Sequence, residues 1–428
     1  MKILVLGARG FLGRHVAEAL RRAGHVVVAG ARGAPGEGTS DIEHRALDFN
    51  QVRHAQEVVP VLRGIDVVIN TVGIFRESRG QRFTQLHDIA PRAVFEACVQ
   101  SGVRRVIQVS ALGADAQAGS AYHLSKRAAD DYLLSLKLDA VVVQPSLVYG
   151  PGGTSAALFG TLASMPWVPA LDLGQARLQP IHIEDVTAAI VALVGIARLP
   201  ARRIALVGPR ALSWREFMSG LRRGMGLPRA RFVPVPAQAI ALLARIGNLL
   251  PGALLDTAAL QMLRRGNSAD VAPLRSLLGR LPRDVSRFIE PACAPALRTQ
   301  AQLGWWLPVA RLSLAMLWIV TGILSLGVYP VQDSYALLER AGVPQAIQPL
   351  ALQMASWLDI ALGGLVLMSR RLRWVWAAQA SLILVYTAII TLRLPEFWLH
   401  PYGPILKNLP LLALLWLLHE LERPWNTR

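Results

Sequence analysis

The stretch KILVLGARGFLGRHVAEALRRAGHVVVAGAR, from Lys2 to Arg32, determines the fold. It begins with an aliphatic run, Ile3–Leu6, of the length typical of a buried parallel strand. Glycines follow at Gly7, Gly10 and Gly13, and a helical pattern comes after them. Glycines at such a junction permit a tight turn, let a ligand approach the backbone, and let the helix pack closely on the strand.

This glycine loop is a candidate site for an anion. Its free backbone N–H groups and the positive end of the following helix suit the pyrophosphate of a dinucleotide. A glycine-rich turn that binds no ligand is the alternative, because the spacing differs from the tighter G-x-G-x-x-G pattern. The position of the loop in a strand–turn–helix–strand unit favours the dinucleotide site.

The composition indicates that part of the chain faces lipid. The chain has 428 residues, of which 53% are hydrophobic, and a mean hydropathy of +0.37, which is high for a soluble enzyme. The formal net charge is +17, but the basic residues are scattered and no nucleic-acid motif is present, so nucleic acid is not an expected partner. Cys98 and Cys293 lie far apart without metal-ligand spacing, so neither a disulfide scaffold nor a metal site is expected.

Strand-like and helical patterns alternate in the first part of the chain, which is typical of a parallel sheet covered by helices. The strand-like runs are Ile3–Leu6, Val26–Ala29, Val67–Asn70, Val106–Ser110 and Ala140–Gln144, and the helical patterns include His15–Ala23 and Ala90–Ser101. We therefore expect an α/β domain with a doubly wound parallel (Rossmann) sheet. Residues 1–150 form its NAD(P)-binding core, and residues 151–295 form its remainder with a small substrate-side subdomain.

The stretch Ala239–Asn267 is amphipathic, but Arg245, Pro251 and Asp256 interrupt it too often for a membrane span. We interpret it either as a cover over a substrate cleft or as a membrane-facing surface.

After a linker at 296–306, the composition changes to that of an all-α transmembrane domain, expected at 307–420 with spans at about 308–329, 350–368, 374–393 and 404–419. The fourth span is short and requires Lys407 to snorkel. A soluble helical domain is the alternative. Asp359 falls within the second span, where a carboxylate is costly; it is interpreted as a functional site or as the structural partner of Arg311, Arg393 or Lys407.

The flanking charges predict the orientation of the spans. The loop after the second span carries Arg370, Arg371 and Arg373, and the positive-inside rule places this arginine loop in the cytoplasm. The chain starts with a strand and no leader precedes it. We therefore expect a multi-pass protein of the inner (cytoplasmic) membrane, with the Rossmann domain and the tail 421–428 in the cytoplasm.

Ser110, Tyr122 and Lys126 are the candidate catalytic residues. Ser110 closes a strand at the edge where open α/β sheets bind ligands, and Tyr122 and Lys126 are four residues apart on one helix face. An ammonium beside a tyrosine lowers the phenol pKa, so Tyr122 is predicted as the general acid or base and Lys126 as its activator. Ser110 is predicted to orient the substrate oxygen.

Several motifs together resemble a known family. The motifs are GARGFLG, INTVGIF, VSALGAD, the Tyr122–Lys126 pair, QPSLVYGPGG and PIHIEDV. The chain resembles the extended and atypical short-chain dehydrogenase/reductases over about residues 1–295, and most of all the branch containing the NADPH-binding accessory subunit of respiratory complex I and its bacterial relatives. Residues 307–420 resemble the DoxX-like four-helix membrane family, on hydropathy and HPYGPILKNLPLL.

The resemblance implies a set of cofactor-binding residues. They are Gly7, Arg9, Gly10, Phe11, Leu12 and Gly13 in the pyrophosphate loop, Asp48 near the adenine, Asn70, Thr71, Val72, Gly73 and Lys126 beside the ribose and nicotinamide, and Pro145 and Ser146 next to the nicotinamide.

The end of the second predicted strand indicates which cofactor is preferred. It offers no Asp or Glu for a ribose 2′-hydroxyl but does offer Arg32, with Arg9 nearby in the glycine loop. An arginine fork suits a 2′-phosphate, so NADP(H) is the preferred cofactor and NAD(H) the alternative.

Two functions are compatible with this pattern. The first is a membrane-anchored NAD(P)-dependent oxidoreductase or epimerase/dehydratase-like enzyme acting on a small lipophilic substrate, with the lipid bilayer as its other partner. The second is a non-catalytic NADPH-binding module of a membrane complex, which would have a membrane-protein partner. Retention of Ser110, Tyr122 and Lys126 favours the enzyme.

Overall fold

The computed structural model describes residues 1–33, 42–249, 255–368 and 373–422. The chain divides into two compact units, Met1–Gln302 and Leu303–Arg428. Most of the arginine loop, part of the stretch 239–267 and most of the tail 421–428 lie outside the described residues.

A seven-stranded parallel sheet forms the centre of the first unit. The strands of this unit are β1 (Lys2–Leu6), β2 (Val26–Ala31), β3 (Glu43–Ala46), β4 (Val67–Asn70), β5 (Arg105–Val109), β6 (Ala140–Pro145), β7 (Val148–Tyr149), β8 (Trp167–Leu171), β9 (Ile181–His182), β10 (Arg203–Leu206) and β11 (Arg231–Val235). The order in the sheet is β10-β6-β5-β4-β1-β2-β3, which confirms the doubly wound Rossmann topology. The order reverses between β4 and β1, and this switch point opens a crevice at their carboxyl ends.

The described helices of the first unit are α1 (Phe11–Arg22), α2 (Ala90–Gln100), α3 (Ala121–Ser135), α4 (Thr154–Ser164), α5 (Ile183–Gly195), α6 (Trp214–Gly224), α7 (Ala237–Leu249), α8 (Thr257–Arg265) and α9 (Ala272–Leu278), with short 3-10 turns at Ala55–Glu57, Val59–Leu62 and Val285–Arg287 and a π-helical turn at Thr84–Ile89. Of these, α1 and α5 cover one face of the sheet, and α2 and α3 cover the other. Ile3 and Val5 of β1 pack in the core that contains α1 and α5, whereas Leu4 and Leu6 pack in the core that contains α2 and α3. Because both faces are buried, β1 is a continuous aliphatic run.

Two small parallel sheets build the substrate-side subdomain. β7 pairs with β9, and β8 pairs with β11. Their core contains Phe159, Trp214 and Phe217, whose rings meet edge to face.

The second unit is helical. Its described elements are α10 (Ala294–Ile323) with a π-helical turn at Leu324–Val328, α11 (Val331–Arg340), α12 (Gln348–Met368), α13 (Arg373–Arg393) and α14 (Asn408–Leu421), with 3-10 turns at Gln345–Ile347 and Pro395–Trp398. The residues 296–306, which we expected to form a linker, belong to α10. Ala, Leu, Arg and Gln dominate this segment, and they are strong helix formers.

Three helices among the described residues are long and apolar enough to cross a membrane: Ala294–Val328, Gln345–Met368 and Arg373–Arg393. They contain the first three predicted spans. The fourth span falls on α14, which has 14 residues and is therefore only about 21 Å long, shorter than the roughly 30 Å hydrocarbon core of a bilayer. A crossing by α14 stays a prediction.

Asp359 lies on the buried face of α12, and its Oδ1 atom has no hydrogen-bond partner among the described residues. Arg311, one of its three expected partners, instead pairs with the carboxylate of Glu422 and donates to the Val366 carbonyl at 2.6 Å. The role of Asp359, functional or structural, stays a prediction.

Candidate active site

The glycine loop turns sharply at the carboxyl end of β1. Gly7 has a φ of +78°, in the left-handed region that favours glycine. A Cβ atom on Gly13 would lie 2.1 Å from the Gly7 carbonyl oxygen and 2.8 Å from Thr71 Oγ1, so only glycine lets α1 approach the loop this closely. Gly10 is the N-cap of α1, makes no side-chain capping bond, and no acidic residue lies in the first turn. The first N–H groups of α1 are thus suited to an anion.

Phe11 and Leu12, the other predicted loop residues, are the first two residues of α1, and their part in cofactor binding stays a prediction. A Cβ atom on Gly153 would lie 3.1 Å from the Phe11 ring. The guanidinium of Arg14 lies over that ring, 5.8 Å from its centroid. Leu12 packs against the core. Both side chains therefore pack the start of α1 against neighbouring residues of the first unit.

Arg9 and Arg32 meet at the outer end of this loop. Arg9 Nη1 donates to the Arg32 carbonyl at 2.8 Å, and both residues are exposed. The pKa of His44 is lowered by its burial and by the Arg9 charge. Asp48 is half-buried and accepts hydrogen bonds from the backbone and side chain of Asn50, each at 3.0 Å.

The loop Asn70–Gly73 borders the other side of the crevice. Asn70 is buried, donates to Gln108 at 2.8 Å and accepts from the Val72 N–H at 3.1 Å. Thr71 donates to the Leu6 carbonyl at 2.7 Å. These bonds fix the loop to its neighbouring strands. On the far side, Pro145 ends β6, and Ser146 donates its hydroxyl to the Gln179 carbonyl at 2.6 Å.

Tyr122 and Lys126 lie on the first turns of α3, which starts at Ala121 because the Ser120 hydroxyl caps the His123 N–H at 3.3 Å. The Lys126 ammonium donates to the Val72 carbonyl at 3.1 Å and the Val109 carbonyl at 3.2 Å. A Cβ on Gly73 would lie 2.9 Å from this ammonium, so a larger residue there would displace the end of the lysine side chain. Lys126 thus lies between the loop after β4 and the carboxyl end of β5.

Asp130 was not predicted, and it completes this helix face. It follows Lys126 by four residues, is fully buried, and accepts the hydrogen bond of the Ser110 hydroxyl. Its second oxygen, Oδ1, has no hydrogen-bond partner among the described residues. The same four-residue spacing that links Tyr122 to Lys126 could have identified Asp130.

Burial governs the titration of these groups. Desolvation, and to a smaller extent the Asp130 charge, raises the pKa of Tyr122, which is 8% exposed. Our expectation that Lys126 lowers this pKa is therefore wrong for the unliganded site. Desolvation lowers the pKa of Lys126 to about 8, with Asp130 opposing it, and desolvation raises the pKa of Asp130 to about 6. Loss of water around the buried phenol is the largest influence on its pKa, and it outweighs the nearby ammonium.

Aromatic rings surround Tyr122. Phe75 stacks on it at 5.3 Å between centroids, and Phe83 and His87 meet it edge to face at 6.0 Å and 5.5 Å. His87 Nε2 accepts the Ile74 N–H at 3.0 Å, and Nδ1 lies 3.0 Å from the Ser125 hydroxyl. Desolvation and the Lys126 charge lower the pKa of His87 to about 2, so the imidazole is neutral. These residues come from a loop and a π-helical turn whose sequence carries no pattern that would have marked them.

Two family models match the chain, one within each of the two units. Residues 3–208 match the NAD dependent epimerase/dehydratase family, and residues 315–416 match the DoxX-like family.

Individual relatives match the first unit. A ceramide reductase from Caulobacter vibrioides is 30% identical over 259 residues, which are 59% of this chain and 77% of that protein. NADH dehydrogenase (ubiquinone) 1 alpha subcomplex subunit 9, mitochondrial, of Arabidopsis thaliana is 31% identical over 205 residues, or 44% of this chain. The chain spans about half the length of the Arabidopsis protein, 48%.

A solved structure, the nucleoside-diphosphate-sugar epimerase of Staphylococcus aureus, superposes with a TM-score of 0.55 at 19% identity, covering 67% of this chain and 99% of the epimerase. At that identity, the likeness shows the fold alone. The sequence matches and the glycine loop of the Rossmann sheet together lead to one conclusion: the chain belongs to the NAD dependent epimerase/dehydratase family and carries a C-terminal DoxX-like domain.

Proposed function

We propose that the protein is a membrane-anchored NADPH-dependent reductase that converts a ketone of a long-chain lipid into an alcohol. The observation that carries this proposal is the Tyr122–Lys126 pair on α3. The Lys126 ammonium donates hydrogen bonds to the carbonyls of Val72, which follows β4, and Val109, which ends β5. When bound, a reduced nicotinamide supplies the hydride for the carbonyl carbon. The close approach at Gly7 and Gly13 fits a dinucleotide.

In a reduction, Tyr122 would act as the proton donor. A phenol carries its proton at neutral pH, and burial raises the pKa of Tyr122 further. The O–H bond of Tyr122 breaks as its proton passes to the carbonyl oxygen, while the hydride forms the new C–H bond, so the product is an alcohol. Lys126 stabilises the phenolate that remains. Asp130 holds Ser110 in place beside them.

Two findings support a lipid substrate. The chain has a DoxX-like domain with helices that are apolar enough to cross a membrane. One relative is named a ceramide reductase, so we propose a substrate of the ceramide class that carries a ketone.

Transfer of a label tests the reaction. The full-length protein in lipid nanodiscs receives NADPH deuterated at nicotinamide C4 and a long-chain keto-amide lipid, and mass spectrometry follows the product. We expect one deuterium on the new carbinol carbon, from one of the two C4 faces only. No transfer to any member of a panel of long-chain ketones would overturn the proposal.

Removing Arg32 should weaken NADPH binding selectively. Arg32→Ala loses a charge-assisted contact to the 2′-phosphate, so we expect about a tenfold loss in NADPH affinity and none in NADH affinity. Fluorescence titration with both cofactors measures this. Arg21→Ala is the matched control, because Arg21 lies at the other end of α1 and pairs with Glu18. Equal losses for both cofactors would contradict an NADP preference.

Asp130→Asn should move the alkaline limb of the turnover profile to lower pH. The Asp130 charge opposes the desolvation that lowers the pKa of Lys126 to about 8, so without it Lys126 loses its proton at a lower pH. Profiles of kcat against pH measure the shift. The exposed neighbour Asp131, which pairs with Arg127 and Arg203, provides the control variant Asp131→Asn. An unshifted alkaline limb in Asp130→Asn would contradict the role of Lys126.

We also propose that the protein resides in the inner membrane with its Rossmann domain in the cytoplasm, as the arginine loop indicates. A reporter that is active only outside the cytoplasm should be silent when fused after Arg371 and active when fused near Gln345. The reverse pattern would contradict this orientation.

A second candidate function is a non-catalytic NADPH-binding module with a membrane-protein partner. The 31% identity to a subunit of an NADH dehydrogenase complex favours it. The first two predictions of the Discussion separate it from the reductase.

A further inference from the structure

Helix α7 is apolar on two opposite faces. Ile240, Ala244 and Gly247 are buried and pack toward α8. The opposite side of the helix exposes a stripe that we call the outward apolar face: Leu242 (58% exposed), Leu243 (55%), Ile246 (44%) and Leu249 (82%). A helix that is apolar all round is normally covered on both sides, and monomeric soluble proteins rarely leave such contiguous patches exposed.

The charge around this face selects the kind of partner. Arg245 is exposed and is the only ionisable residue of α7. An apolar stripe flanked by arginine fits the boundary between the headgroups and acyl chains of an anionic bilayer. The chain itself carries helices apolar enough to cross that bilayer.

A chain of contacts connects α7 to Tyr122. Arg76 donates to the carbonyls of Gly247 and Asn248, at 3.1 Å and 2.6 Å, and so ties the carboxyl end of α7 to the loop after β4. Its sequence neighbour Phe75 stacks on Tyr122 and is 77% exposed. Arg76 and Phe75, adjacent in sequence, therefore connect the carboxyl end of α7 to the ring of Tyr122.

We propose that the outward apolar face of α7 docks on the surface of the lipid bilayer and admits the lipid substrate to Tyr122 past Phe75. The docking stands on the exposure and charge of α7. The admission of substrate rests on the proposed reductase function. The Arg76 contacts keep the docked helix at the mouth of the site.

Quenching by brominated lipid tests the docking without any use of turnover. Leu243→Cys and Ile246→Cys, in a full-length Cys293→Ser background with the buried Cys98 retained, are labelled with an environment-sensitive fluorophore. The proteins are placed in nanodiscs of brominated phosphatidylcholine and phosphatidylglycerol. Val26→Cys is the matched control, because Val26 is 59% exposed and lies at the amino end of β2, whereas the candidate site lies at the carboxyl ends of the strands.

We expect strong quenching at both α7 positions and little at position 26. Absence of quenching on α7, or equal quenching at all three positions, would overturn the docking; a label shielded from both brominated lipid and aqueous iodide would assign the face to protein contact and overturn it as well. Docking on anionic lipid also predicts that quenching falls when phosphatidylglycerol is omitted.

A second measurement tests the admission of substrate. Leu242→Gln with Leu243→Gln should raise KM for a long-chain ketone in nanodiscs by about tenfold, while kcat/KM for a short water-soluble ketone stays unchanged. Equal KM values for the long-chain ketone would overturn admission through α7. Quenching at α7 in a protein that reduces no ketone would support the docking surface and refute only the reductase, so the two failures are distinguishable.

Discussion

Tyr122→Phe should reduce the turnover of a lipid ketone by roughly a hundredfold to ten-thousandfold, the range typical of general acid–base groups. The substitution removes one hydroxyl and keeps the ring that packs against Phe75, Phe83 and His87. Folding and NADPH affinity should therefore change little. Steady-state kinetics in nanodiscs and a cofactor titration measure the two quantities on the same preparation.

Lys126→Ala is the companion variant. We expect it to lower both turnover and NADPH affinity, because the ammonium is proposed to stabilise the Tyr122 phenolate and is also expected to hold the nicotinamide ribose. In a cellular complementation assay, a Tyr122→Phe strain that grows like wild type would contradict the enzymatic proposal and leave the binding module.

Gly13→Val should weaken NADPH binding by about tenfold to a hundredfold, the equivalent of the 1–3 kcal/mol that overpacking typically costs. A side chain at position 13 begins 2.1 Å from the Gly7 carbonyl, a backbone atom that cannot rotate away, so the glycine loop and α1 must separate. The pyrophosphate then loses the aligned N–H groups of the helix start. Isothermal titration with NADPH measures the loss.

Gly195→Ala is the matched control, because Gly195 also lies in a helix but has no atom within 4 Å of its Cβ position. Thermal unfolding of both variants separates a cofactor effect from misfolding, and Gly13→Ala offers a smaller perturbation. Unchanged affinity in a folded Gly13→Val variant would contradict the pyrophosphate site. A defective Gly13→Val strain beside a fully functional Tyr122→Phe strain would support the binding module and refute the reductase.

The central strands could be predicted from sequence because burial on both faces makes them aliphatic runs. β3, with the sequence EHRA, and β10 could not, since each is an edge strand with one neighbour and its pattern is short or polar. The predicted linker at 296–306 is part of a helix. The change in composition there indicates a change of environment, but it does not show where a helix begins or ends.

The candidate site was likewise only partly predictable from the sequence. Helical spacing alone placed Tyr122 and Lys126 on one face, and it extends to Asp130. The titration of these groups could not be predicted, because it depends on desolvation by Phe75, Phe83 and His87, which the fold brings from other segments. Spacing gives proximity along a helix, whereas the pKa depends on everything that replaces water around the group.

The neutral state of His87 has a consequence for how Tyr122 would regain its proton between turnovers of a reductase. Each catalytic cycle leaves Tyr122 without its proton, and a replacement must arrive from solvent. His87 cannot relay it near neutral pH, because its pKa is about 2 and its Nε2 lone pair is occupied by the Ile74 N–H. Lys126, with a pKa of about 8, and Asp130, with a pKa of about 6, are the neighbours that can deliver and regain a proton in that range. Proton resupply would then pass through this buried pair, and the rate of repeated turnover would depend on how readily water reaches it.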